Sequence, residues 1–203
     1  MTKEYLRSSL SNLLARIDKT NKYHNTFLDH ILEAVINSVY YQVHAQNPKA
    51  LGQYTKRYSI QSLSTGDAGR YTYTLTVSLV PMPDKRGGVR NIIDEEDTDI
   101  YFAPVTDQEI ALMEESQATA LTTSSPMVAY FAPRSTYIEL MGLTVTELYH
   151  TFSFDLLVAF TSLSDSDEVP LPYGKNTEIL KMALEILGVV PPKDLLDNNS
   201  DVK

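Results

Sequence analysis

The hydrophobic period of this chain changes at Gly52, and no other feature of the sequence constrains its fold as strongly. Before Gly52, apolar residues recur every three or four positions, as on one face of an α-helix. After it they recur every second position, as on one face of a strand. Over about residues 2–18, Tyr5, Leu6, Leu10, Leu13, Leu14 and Ile17 form one stripe, with Thr2 placed as its N-cap. The polar connector DKTNKYHN leads to a wider stripe of Phe27, Leu28, Ile31, Leu32, Val35, Ile36, Val39, Tyr40 and Val43. That stripe starts at Thr26 in a capping-box-like pattern and stops before Asn47-Pro48. Two helices with a short polar link predict an antiparallel helical hairpin over residues 1–48.

Residues 49–173 read as an antiparallel β domain. Tyr54 to Leu63 and Tyr71 to Val80 predict strands around the turn STGDAG. In YTYTLTVSLV the apolar set Tyr71, Tyr73, Leu75, Val77 and Leu79 alternates with Thr72, Thr74, Thr76 and Ser78, the pattern of a half-buried strand that Pro81 and Pro83 end. Ile100 to Ala103, Met127 to Ala132, Ser135 to Met141 and Glu147 to Phe160 predict further strands. Thr106, followed by Asp107 and Glu109, opens a short helix near 106–117. An amphipathic helix over 174–188 is closed by Gly188. The tail 189–203, with its double proline, predicts an extended or disordered segment unless a partner orders it. The expected fold is therefore α+β: an N-terminal helical hairpin, an antiparallel β-sandwich or barrel, a C-terminal helix beside it and an extended tail.

A chain of 203 residues with 43% hydrophobic content can bury one sizeable core. Without cysteine it has no disulfide, thiolate metal site or cysteine nucleophile, which fits a reducing cytoplasm and equally any protein that does not depend on oxidation. Charges at Lys3, Glu4, Arg7, Arg16 and Asp18 interrupt the first segment, so neither a signal peptide nor a membrane span is expected. The net charge of −9 disfavours nonspecific attraction to nucleic acid.

The stretch PDKRGGVRNIIDEEDTDIYFAP concentrates the charge chemistry. Asp94, Glu95, Glu96, Asp97 and Asp99 offer hard oxygen ligands for calcium or magnesium, but the turn glycine and distal glutamate of an EF-hand loop are missing. The bland alternative is a solvated charged loop. RGGVR lacks both the P-loop lysine and the three-glycine dinucleotide spacing, so Gly87-Gly88 reads as a turn. His24, His30, His44 and His150 have no four-residue spacing for a metal and read as surface or packed histidines. There is no G-x-S-x-G element. The thirteen tyrosines suit core packing or a subunit interface, Tyr71 and Tyr73 already lying on the apolar face of a strand. No catalytic residue, metal or cofactor is expected.

The helical pair MTKEYLRSSLSNLLARID and TFLDHILEAVINSVYYQV, the β segments YTKRYSIQSL and YTYTLTVSLVPMPDKRGGVRNI, and the closing phrase EVPLPYGKNTEILKMALEILG together resemble the ring proteins of the head-to-tail connector in crAss-like tailed bacteriophages. The resemblance covers the chain up to about residue 188. It implies a non-enzymatic virion component, assembled in the host cytoplasm as a homo-oligomeric ring between the portal and the tail or neck proteins, which extends the DNA channel without reading its sequence. A ring requires a heterologous interface. Under that expectation Lys85, Arg86 and Arg90 meet Asp94, Glu95, Glu96, Asp97 and Asp99 of a neighbouring copy, or else the acids line the channel. Val189, Val190, Leu195 and Leu196 would anchor the tail across a ring boundary. The rival readings are a metal-dependent hydrolase or nuclease using the acidic loop 94–99, and a monomeric ligand-binding β domain.

Overall fold

The computed structural model describes residues 1–17, 23–60, 64–65, 70–115, 127–134, 136–143, 150–172 and 175–190. Expectations for the connector at 18–22, the turn at 66–69, the strand start before residue 150 and the tail beyond 190 lie outside the described residues. The chain divides into two units, Met1–Tyr54 with Ala159–Lys203, and Thr55–Val158.

The first unit is helical. Helix α1 spans Lys3–Ile17, α2 spans Asn25–Gln46 and α4 spans Asn176–Ile186, with 3-10 turns at Pro48–Tyr54 and Phe160–Ser162. Leu6, Leu10 and Leu14, spaced four apart, are buried against the stripe of α2 formed by Leu28, Leu32, Val35, Ile36, Val39 and Tyr40. The buried faces are narrower than the sequence predicts. Tyr5 and Phe27 are exposed because each sits about 100° or more around its helix from the buried row, and Ile17, though in line with the leucines, is exposed as the last residue of α1. Thr2 caps α1 as expected, its hydroxyl accepting from the amide of Tyr5 at 3.3 Å.

Helix α2 starts differently: His24 caps it through Nδ1, which accepts from the Thr26 amide, and Thr26 lies inside the helix. Asp29, the partner a capping box would use, binds Lys3 and Arg7 instead. Helix α4 packs on α1 and α2 and so completes the helical unit. It ends as predicted. Gly188 takes a positive φ of 68°, its amide bonds the Glu185 carbonyl, and Val189 donates to Leu184.

The second unit holds two sheets. Strand β1 is Lys56–Ile60, β2 Ser64–Thr65, β3 Arg70–Thr74, β4 Val89–Asp94, β5 Ile100–Pro104, β6 Met127–Pro133, β7 Tyr137–Met141 and β8 Phe152–Leu156, with helix α3 at Asp107–Glu115 between β5 and β6. The smaller sheet has the order β1-β8-β4 and the larger β2-β3-β7-β6-β5. Aromatic rings join them: Tyr73 stacks on Phe154 at 5.1 Å, and Phe102 meets Phe152 edge-on at 6.0 Å. The result is a sandwich-like pair of layers rather than a closed barrel.

Three expectations need correction. The segment 71–80 is not one ladder: β3 stops at Thr74, after which Leu79 bridges Val158 and Val80 donates to Leu157. The chain thus passes from the larger sheet toward the smaller one. Burial still alternates along it because it stays extended over the core. Second, Val89–Asp94 is a strand where a charged loop is expected. Third, β5 and β6 run parallel, so the larger sheet is mixed. A parallel pair requires a crossover, and α3 lies in that crossover. The turn of α3 is a complete capping box, with Glu109 accepting from the amide and hydroxyl of Thr106 at 2.8 and 2.9 Å.

Candidate functional site

The charged stretch separates into a basic half whose cations all have partners within the chain, Arg90 buried and Lys85 exposed, and a largely exposed acidic half. Gly87, at a φ of +53°, turns the chain into β4. At Gly88 a Cβ would come within 2.7 Å of the Leu79 side chain, so only glycine lets these backbones approach. Pairing of β4 with β8 shifts register between Val89 and Asn91, and Arg90 is the extra residue of that bulge. Its side chain is buried. Nη1 and Nη2 grip Asp84 at 2.8 and 3.1 Å, and Nη2 also meets the Gly87 carbonyl. Arg86 donates to the Arg90 carbonyl at 2.9 Å, and Lys85 pairs with Glu109. All three predicted interface cations therefore have partners within their own chain.

Asp94 is 1% exposed, which corrects the reading of a solvated run. Its Oδ1 accepts from the amides of Glu96 and Asp97 at 3.0 and 3.1 Å, folding the turn after β4, and its Oδ2 lies 2.7 Å from Nδ1 of His150. Glu96 accepts from the Thr151 amide at 2.6 Å, and the Glu95 amide donates back to the Thr151 carbonyl. Desolvation pushes the Glu96 carboxyl up, but bonds from Thr151 and the nearby His150 outweigh it and hold the group below the usual glutamate value. Asp97 accepts from the Asp99 amide. Glu95, Glu96 and Asp99 are exposed, the Glu96 carboxylate folding back onto Thr151, and Asp97 is half-buried.

Ligand atoms of Asp94, Glu96 and His150 lie within 4.8 Å of one another, a set of two carboxylates and an imidazole that suits a divalent cation. Sequence spacing hides this cluster, since His150 lies 56 residues from Asp94. A second signal is carried by the charge distribution along the chain. Nine of the 26 acids and none of the 17 lysines and arginines fall between Asn91 and Pro133, so the rest of the chain is balanced and its whole net charge resides there.

The acidic turn joins two strands at the rim of different sheets. Strand β4 ends the smaller sheet and β5 the larger. Between them lies a cleft of about 210 Å³ lined by Asn91, Ile92, Asp94, Thr98, Ile100 and Phe102. Tyr101 beside it is 55% exposed. Of the predicted tail anchors, Val189 supplies the last amide of the α4 cap and Val190 is exposed, whereas Leu195 and Leu196 lie outside the described residues. No helix among the described residues is long and apolar enough to cross a membrane.

No family model matches this chain, and neither does any curated protein sequence.

Proposed function

We propose that this chain is a non-enzymatic virion structural protein, a subunit of a multi-copy ring in the portal-to-tail connector of a tailed bacteriophage. The observation that carries this reading is the segregation of charge. One segment bears the entire net charge, and its turn sets Glu95, Glu96 and Asp99 in solvent between two rim strands. Repeated around a ring, those carboxylates form a negative collar that repels phosphate and lets DNA pass without adhering. Arg90 and Asp94 then serve the fold of each subunit. Subunit contacts fall to exposed apolar side chains such as Tyr5, Phe27 and Leu112. The partners are further copies, the portal and the adjoining tail or neck proteins.

The test is co-expression of the full chain with the portal protein of the same genome, followed by native mass spectrometry. A stoichiometric ring bound to the portal supports the reading. A chain that stays monomeric with the portal present contradicts it.

A cation-dependent hydrolase or nuclease is the second reading, favoured by the convergence of Asp94, Glu96 and His150. It requires Mg²⁺ or Mn²⁺ both to raise the melting temperature and to switch on cleavage of nucleic acid.

A further inference from the structure

The two rim strands beside the acidic turn are not equivalent. Strand β4 is blunted as a template for further pairing by its bulge at Arg90 and by the inward-turned charges of Arg90 and Asp94. Strand β5, with the sequence IYFAP, has neither bulge nor charge, and only Pro104 at its end lacks an N–H on the rim side. Its pairing with β6 defines which backbone groups are used. Val105 donates to Phe131, so by strand alternation Ala103 and Tyr101 face β6, while Ile100 and Phe102 turn their N–H and C=O groups to the open rim. Among the described residues nothing pairs with that rim.

Charge selects the occupant. The acids Glu95, Glu96, Asp97 and Asp99 immediately precede β5, in a segment without a single lysine or arginine. A second copy brings the same net charge of −9, and the chain's own tail sets Asp194, Asp197 and Asp201 against Lys193 and Lys203. Neither complements the rim. We propose that β5 accepts an extended, lysine- or arginine-bearing segment of a different protein, which adds a sixth strand to the five-stranded sheet while its cations meet the acidic turn. The inference rests on the assembly reading only for where that segment comes from, a neighbouring connector layer; the collar that repels DNA is then built from the carboxylates the segment leaves unpaired.

The probe is the peptide acetyl-Val-Lys-Val-Lys-Val-Lys-amide, titrated into the full chain while amide hydrogen exchange is followed. Exchange at Ile100 and Phe102 is expected to slow by about tenfold or more at saturation. In about 1 M salt the effect should largely vanish, and the paired change Glu95→Gln with Asp99→Asn should weaken binding about threefold. Val-Glu-Val-Glu-Val-Glu should have no effect. Unchanged exchange at 100–104 under saturating lysine peptide overturns the proposal, as does equal protection by the glutamate peptide. Protection that grows with protein concentration alone also overturns it, because a second copy would then be the occupant. Peptide binding without ring formation would sink the connector reading and leave this rim site standing; rings without peptide binding would do the reverse.

Discussion

Arg7 holds Asp29 by two parallel hydrogen bonds, Nε to Oδ1 at 2.6 Å and Nη2 to Oδ2 at 2.8 Å, and so ties α1 to the amino-terminal part of α2. The same carboxylate lies 3.3 Å from Lys3, whose ammonium also donates to the carbonyls of Leu163 and Thr161. Arg7 reaches on to Asp165 at 2.8 Å. One buried carboxylate thus sits between buried Lys3 and half-buried Arg7, and Arg7 with Asp165 ties the carboxyl-terminal segment to the amino-terminal helices. Removing it takes from buried Lys3 its nearest counter-charge and leaves Arg7 with Asp165 alone. Asp29→Ala should cost about 3–5 kcal/mol in urea unfolding, and Asp29→Asn should cost less because it keeps the shape and part of the bonding.

The bulge arginine obeys the same logic at a more open site. Arg90→Met deprives Asp84 of its guanidinium, but Asp84 keeps some contact with water, so a loss of about 2–3 kcal/mol is expected. Lys85→Ala removes only an exposed pair with Glu109 and should cost under about 1 kcal/mol. Equal losses for the two variants in chemical denaturation would contradict the division of this stretch into structural and surface charges.

Gly88 is predicted to resist substitution. A methyl group there meets the Leu79 side chain and the carbonyls of Val80 and Leu157, and relief requires two strands to part. Gly88→Ala should destabilise by about 1–3 kcal/mol. Gly52→Ala is the control. A methyl group at that position would have nothing within 4 Å, and a change within about 0.5 kcal/mol is expected from thermal unfolding.

Acid should loosen the entry to α3 late. Bonds from Lys85 and from the amide and hydroxyl of Thr106 pull the Glu109 carboxyl down from 4.5 to about 2. Its folded value therefore lies below its unfolded value. The stabilisation is fully present above about pH 4.5 and disappears as pH falls through about 2. Urea midpoints of the wild type and Glu109→Gln should differ near neutral pH and converge at the acid end of that window. A gap that persists at the acid end would reject the ionic part of the box.

The helices are legible in the sequence because their signals are local. Leu6, Leu10 and Leu14 announce a buried row by spacing alone, and Thr106 with Glu109, or Gly188 after its helix, mark ends by chemistry contained within one turn. Strand β4 is hidden because VRNIID carries Arg90 and Asp94, whose burial depends on Asp84 and, far along the chain, His150. The parallel pairing of β5 with β6 is hidden for another reason. Alternation reports which face of a strand is buried and says nothing about the direction of its neighbour. The acidic site is half visible: its five carboxylates stand together in sequence, but only the fold turns Asp94 inward toward His150 and leaves Glu95, Glu96 and Asp99 outside.

In the proposed ring these exposed carboxylates repeat around a shared axis through which DNA passes. An electron-microscopic reconstruction of the particle's neck tests it most directly. A closed ring of this chain coaxial with the portal is expected, with the turn at 95–99 on its inner wall. A neck that lacks the chain, or a ring whose inner wall is built from other residues while this turn faces outward, would contradict it.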